Sequence, residues 1–174
     1  MSKVIIVING SGGVGKDTLC NFVAEEYKVV NVSSVDPIKE MAKIVGWEGK
    51  ELKDRAFLSD LKTLCTQYNN SPFTYIMRRT SEFLNPNSED EILFVHIREP
   101  QEIEKYCEGC YTAFGFKPFT LLVQRDVGVE KYGNKSDDNV EDYCYDIYFN
   151  NNYNLTVAKV SILNLVDKLI KEER

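Results

Sequence analysis

The sequence predicts a three-layer α/β/α domain: a five-stranded parallel sheet covered by helices on both faces, with an all-helical insert in the first half. Three observations carry this. Short β-branched apolar runs, the pattern of strands buried on both faces, alternate with stretches of helical apolar spacing. Strands separated by helices are joined by right-handed crossovers, which makes them parallel neighbours. A glycine-rich turn follows the first apolar run and opens directly into the first amphipathic stretch.

The elements follow in order. Lys3 to Asn9 is the first strand, and Asp17 to Glu26 is a helix with Leu19, Phe22 and Val23 on one face. Lys28 to Ser33 is the second strand. Asp36-Pro37 starts a helix, with Asp as the cap and Pro in the first turn, and this helix runs to Val45 and stops at Gly46. Glu51 to Pro86 reads as helical in two pieces. Phe57, Leu61, Leu64, Cys65 and Tyr68 form one apolar stripe, Asn69-Asn70 breaks it, and Ser71-Pro72 restarts the helix. Phe73, Ile76, Met77, Phe83 and Leu84 line the second stripe. Ile92 to Ile97 is the third strand, and Glu99-Pro100 opens a helix that reaches about Gly109. Phe119 to Gln124 and Tyr145 to Phe149 are the fourth and fifth strands. Leu155, Ala158, Ile162, Leu165 and Leu169 give a closing helix capped by Asn154.

No repeat or linker divides the chain, so residues 1–174 read as one domain with the insert at about 37–86. A candidate lid at about 127–142 is rich in Gly, Asn and Asp; its cations are Lys131 and Lys135, and it has no Arg. Apolar residues at 43% and charged residues at 28% exclude a disordered or fibrous chain. The formal charge of −6 disfavours wrapping nucleic acid, which needs a basic face. Val4 to Ile8 is too short an apolar run for a membrane span or signal-peptide core, and the five cysteines are an odd number. The expectation is therefore a cytoplasmic protein with neither nucleic acid nor membrane as partner, and of unspecified oligomeric state.

In a parallel sheet, ligands bind beyond the carboxyl ends of the strands. Those ends deliver Asn9, Ser33 to Asp36, Arg98, Arg125 and Asn150-Asn151 to one rim. The first leads into Gly10-Ser11-Gly12-Gly13-Val14-Gly15-Lys16-Asp17-Thr18, which fits G-x-x-x-x-G-K and then has Asp where Ser or Thr is usual. Glycines let successive N–H groups turn toward a phosphate, the helix N-terminus adds partial positive charge, and Lys16 reaches the outer phosphates. A dinucleotide reading fits the glycine spacing, but Lys16 and the lack of an acidic residue ending the second strand oppose it. The loop also resembles that of chromosome-partitioning ATPases, whose extra lysine and following threonine would fall at Ser11 and Asp17.

The chain resembles the P-loop kinases of small phosphorylated molecules, above all bacteriophage deoxynucleoside monophosphate kinases and animal-type phosphomevalonate kinases, whose loops also read G-K-D. Asp36-Pro37-Ile38-Lys39 is similar to the acceptor-side D-P-x-K of the phage-type enzymes. His96-Ile97-Arg98 is similar to their D-x-R strand end, and Asp146 to Leu155 to their last strand and turn. The resemblance implies a P-loop NTPase fold and phosphoryl transfer from ATP, with Mg²⁺, to a nucleotide-like small molecule. On that reading Gly10 to Thr18 hold the triphosphate, Lys16, Arg98 and Arg125 are catalytic, and Asp17 meets the metal. Ser33, Asp36, Lys39, Arg78 and Arg79 would face the acceptor. His96 stands where a metal-facing Asp is expected, which keeps open a nucleotide-binding switch protein without kinase activity. Cys107-x-x-Cys110 lacks further zinc ligands and reads as reduced thiols at a helix end. The late tyrosines Tyr143, Tyr145, Tyr148 and Tyr153 read as packing residues.

Overall fold

A computed structural model describes residues 3–49, 52–126 and 140–172. Five strands, β1 (Val4–Asn9), β2 (Val29–Ser33), β3 (Ile92–His96), β4 (Phe119–Gln124) and β5 (Ile147–Asn150), form one sheet in the order β2-β3-β1-β4-β5. Every pairing is parallel. Among the described residues the helices are α1 (Lys16–Ala24), α2 (Asp36–Ile44), α3 (Leu52–Asn69), α4 (Ser71–Leu84), α5 (Pro100–Phe114) and α6 (Leu155–Glu172).

β1 lies at the centre, and every residue of it is buried. Alternation sends Val4, Ile6 and Ile8 to one face, where Leu19, Val23, Ile162 and Val166 of α1 and α6 cover them. Ile5 and Val7 face the other way, onto Ile76, Phe83, Ile103 and Tyr106 of α4 and α5. An apolar side chain fully buried in this way contributes roughly 1.5–3 kcal/mol. Lys3, just before β1, donates to the carbonyls of Phe83, Ser88 and Asp90 at 2.7, 3.0 and 3.0 Å. A cation thus closes the carboxyl end of α4, where the helix dipole favours it.

Several sequence expectations change. Asp36 does not cap α2: Val35 is the N-cap residue, and Asp36 is already helical, its carboxylate accepting the Ser33 N–H at 2.7 Å. Helix α5 runs through Gly109 to Phe114, because a residue without a side chain lets Phe73 and Met77 of α4 pack closely there. It ends at Gly115, whose φ of 67° suits glycine. In α3 the predicted stripe divides: Phe57, Leu64 and Tyr68 are exposed, at 41%, 63% and 86%, whereas Leu61 and Cys65 are half-buried. Periodicity marks an apolar face without saying how much of it a neighbour covers; α3 packs on α2 and α4. Leu155 of the α6 stripe is likewise exposed, whereas Ala158, Ile162 and Leu169 are buried. The Asn154 cap is present, accepting the Val157 N–H at 3.0 Å.

The hydroxyls of Thr80 and Tyr106 meet at 2.6 Å inside the second core face, and Thr80 also donates to the Ile76 carbonyl. Tyr106→Phe removes the hydrogen bond to Thr80, which keeps its other partner, and a weaker one to the Cys110 thiol. We expect a loss of about 1 kcal/mol in urea unfolding; no loss would show that these bonds contribute nothing net.

Candidate active site

Two strand ends and one turn shape the glycine loop. Asn9, the last residue of β1 and 1% exposed, accepts the Gly10 N–H on Oδ1 at 2.8 Å. Its Nδ2 donates to the Arg98 carbonyl at 2.9 Å and to the Tyr145 hydroxyl at 2.7 Å, and that hydroxyl donates to the Val140 carbonyl. Gly10 has φ 145°, and a Cβ there would stand 2.4 Å from the Val123 carbonyl oxygen of β4. At the other end of the loop, Gly15 has φ 95° and a Cβ would meet the Asn151 amide nitrogen at 2.6 Å. That amide donates to the Val14 carbonyl at 2.7 Å. The loop is thus held against β4 and against the turn after β5. Both close approaches require glycine.

Lys16, the first residue of α1, donates from Nζ to the carbonyls of Gly10 and Ser11 at 2.5 and 2.9 Å, so its ammonium is held at the loop. Asp17 and Thr18 follow it, exposed in the first helical turn, where the dipole favours a carboxylate.

A cavity of about 870 Å³ lies between this loop and the insert. One wall is Gly12, Gly13, Gly15, Lys16, Asp17 and Thr18. The other is Ser33 to Asp36 and Lys39 with Arg55, Leu58, Ser59 and Lys62 of α3; His96, Arg98 and Glu99 lie at the end of β3. Five cationic side chains and three carboxylates line it, although the chain as a whole carries −6.

Comparison with solved structures places the architecture. Thymidylate kinase from Candida albicans superposes with a TM-score of 0.58 at 8% identity, over 96% of this chain and 92% of that one. The Mycobacterium tuberculosis APS kinase in complex with AMPPNP and APS gives 0.53 at 9%, over 95% and 98%. Shikimate kinase from Aquifex aeolicus gives 0.51 at 13%, over 95% and 97%. The fold is that of the P-loop kinases. No family model and no curated protein matches the sequence.

Within this kinase fold the structure brings many of the predicted residues together. Lys16, Asp17, Thr18, Ser33, Asp36, Lys39 and Arg98 all line the one cavity. Gly10, Ser11 and Val14 do not line it: they build the loop, with the Val14 side chain in the core. Arg125 follows the end of β4, exposed and outside the cavity lining. Arg78 and Arg79 also lie outside the lining. They sit on α4 and pair with Glu82 at 3.7 and 2.7 Å, because Ile76, Thr80 and Phe83 take the inward face of that helix. The arginine of this helical region that lines the cavity is Arg55, on α3. Lys131 and Lys135 of the expected lid lie outside the described residues. Burial pushes the Cys107 and Cys110 thiols up to about 12 and about 11, which suits inert reduced groups.

Lys62 is a residue that sequence reasoning missed. Its ammonium donates to Glu99 and Glu102, both at 2.8 Å. Burial disfavours charge on Glu99, yet the Lys62 ammonium and surrounding hydrogen bonds outweigh it and hold that carboxyl below the usual range. At Glu102 burial prevails, joined by repulsion from Glu99, and the carboxyl titrates higher than usual despite Lys62.

His96 faces the cavity from the end of β3, its Nε2 3.3 Å from the Asn31 side-chain oxygen. Burial lowers its pKa below the ordinary 6.5, and the Lys16 and Lys39 ammonium groups add to this against Asp17 and Asp36. With a folded pKa below the unfolded one, the unfolded chain binds the extra proton. His96 therefore imposes no penalty above pH 6.5 and destabilises the fold progressively as pH falls below it, down to the folded pKa. Because the chain has one histidine, imidazole NMR titration reads it without ambiguity. We expect a midpoint below 6.5, and a midpoint above it would contradict the assigned environment.

Proposed function

We propose that this chain is an ATP-dependent kinase of a small phosphorylated acceptor, with a (deoxy)nucleoside monophosphate as the acceptor implied by the phage-enzyme resemblance. The observation that carries the reading is the cationic cavity of an acidic chain, with the glycine loop on one wall and Lys39, Arg55 and Arg98 on the others. Net positive lining suits two phosphorylated ligands meeting face to face.

In this reading the triphosphate lies along Gly10 to Thr18, and Lys16 bears on its outer oxygens. Lys39, Arg55 and Arg98 hold the acceptor phosphate; Arg98 gives bidentate contact with the transferring group. Ser33 and Asp36 complete the acceptor wall. An acceptor phosphate oxygen bonds to the γ-phosphorus as the bond to the bridging oxygen breaks, and ADP leaves. A phosphate acceptor arrives already deprotonated, so the transfer needs no protein base. His96 in place of a carboxylate therefore removes none.

Mg²⁺ suits the donor set: the exposed Asp17 carboxylate and Thr18 hydroxyl are hard oxygen ligands beside the loop, and this ion keeps waters and phosphate oxygens in its shell. When bound it neutralises charge on the outer phosphates. His96, where a metal-facing carboxylate is usual, favours a second reading, a nucleotide-binding switch without transfer.

A coupled assay of ADP formation across nucleoside monophosphates separates the two. Acceptor-dependent ADP supports the kinase, and nucleotide binding with no acceptor stimulation supports the switch. Lys16→Ala should lower turnover by roughly 100-fold or more, while losing the donations to the Gly10 and Ser11 carbonyls should cost only about 1–2 kcal/mol, a small fall in the melting temperature. Arg98→Ala should raise the acceptor KM more than the Kd for ATP measured by calorimetry. A change in ATP affinity alone would move Arg98 to the donor side.

A further inference from the structure

We propose that Lys62 is a positioning residue that sets the width of the acceptor side of the cavity, by tying helix α3 to the segment that carries Arg98. The proposal rests on the kinase reading.

Lysine is among the residues least often buried, yet Lys62 is 8% exposed. Its ammonium makes two 2.8 Å ion pairs, to Glu99 and Glu102, which stand 37 and 40 residues further along the chain. Those partners occupy the start of α5, whereas the packing neighbours of α3 are α2 and α4 within the insert. The two pairs therefore bridge the insert to the sheet. Glu99 directly follows Arg98, and Lys62, Glu99 and Arg98 line the same cavity as Arg55 and Ser59. Both pairs run between α3 and the start of α5, on the wall opposite the glycine loop.

The burial decides what the bridge does. An exposed ion pair contributes little, but a buried one is costly to break from one side, because the remaining charge has lost its partner. Without Lys62, two carboxylates face each other across a partly buried space, with side chains 33% and 30% exposed. Moving α3 away and admitting water relieves that repulsion. The acceptor wall then widens, and the peptide that holds Arg98 loses its neighbour's anchor. A shift of about 1 Å in a group that aligns a substrate costs on the order of 100-fold in rate.

The test uses the full chain and compares Lys62→Met, Lys62→Arg and Glu99→Gln with wild type. It reads acceptor KM and kcat, ATP Kd by calorimetry, and hydrogen exchange of α3. For Lys62→Met we expect the acceptor KM to rise by about tenfold or more, faster exchange in α3, and an ATP Kd within about twofold of wild type. Lys62→Arg should restore most of the KM. Should Lys62→Met fail to fold, Glu99→Gln carries the test, since it leaves Lys62 paired with Glu102; it too should raise the acceptor KM with ATP affinity kept. An unchanged acceptor KM, or equal losses for ATP and acceptor, overturns the positioning role and leaves the kinase reading standing. Wild type that binds ATP but turns over no acceptor overturns the kinase reading, and this proposal with it.

Discussion

A central strand with every side chain buried has to hand its last backbone groups to something other than water, and here one amide does so. Asn9 ends β1 at 1% exposure and uses both ends of its side chain. Its oxygen takes the first N–H of the glycine loop. Its nitrogen reaches the Arg98 peptide on one neighbouring strand end and Tyr145 on the far side. Buried polar groups are tolerated only when paired, and pairing this one fixes three segments relative to each other. The loop, the β3 end and the region before β5 therefore share one anchor. The cavity geometry is a consequence of that anchor and of the parallel order that puts β1 between β3 and β4.

Two further polar side chains extend the frame. Asn151 holds the Val14 carbonyl, so the loop is supported from the β5 side as well as from β1. Lys62 joins the insert to the start of α5. Around this frame the charge is distributed unevenly, with an acidic chain presenting a cation-rich cleft. The net negative charge raises the energy of a polyanion elsewhere on the surface, and the cations lining the cleft lower it there.

The layer architecture was legible because strands buried on both faces are continuous apolar runs, and Val4 to Ile8 and Ile92 to Val95 are such runs. The loop was legible because its glycines sit between a strand and a helix. What remained hidden depended on partners distant in sequence. Strand order is not written in any one strand. Lys62 carries no sequence signal that separates it from a solvated helix charge, and nothing in the sequence separates Arg55 from Arg78 and Arg79; α3 lying beside the end of β3 does both. Arg78 and Arg79 seemed suited to an acceptor, but the inward face of α4 was already taken by Ile76, Thr80 and Phe83. The sequence places the end of α5 near Gly109, whereas the missing side chain there admits Phe73 and Met77 within a continuing helix.

The register of β1 also bears on how the chain acquires this geometry. Val4 pairs with Ile92 and Ile6 with Phe119, and Asn151 then closes on Val14. These contacts span most of the sequence, and parallel pairing of this kind is slow because chain closure precedes any reward. During synthesis the loop segment is made early, yet its supports arrive only after the last strand and its turn have been translated. Until β3 and β4 have followed it, the strongly apolar β1 stands without neighbours, the kind of exposed segment that chaperones shield. Competence in this molecule is thus a late event, reached only when its two distant halves have met.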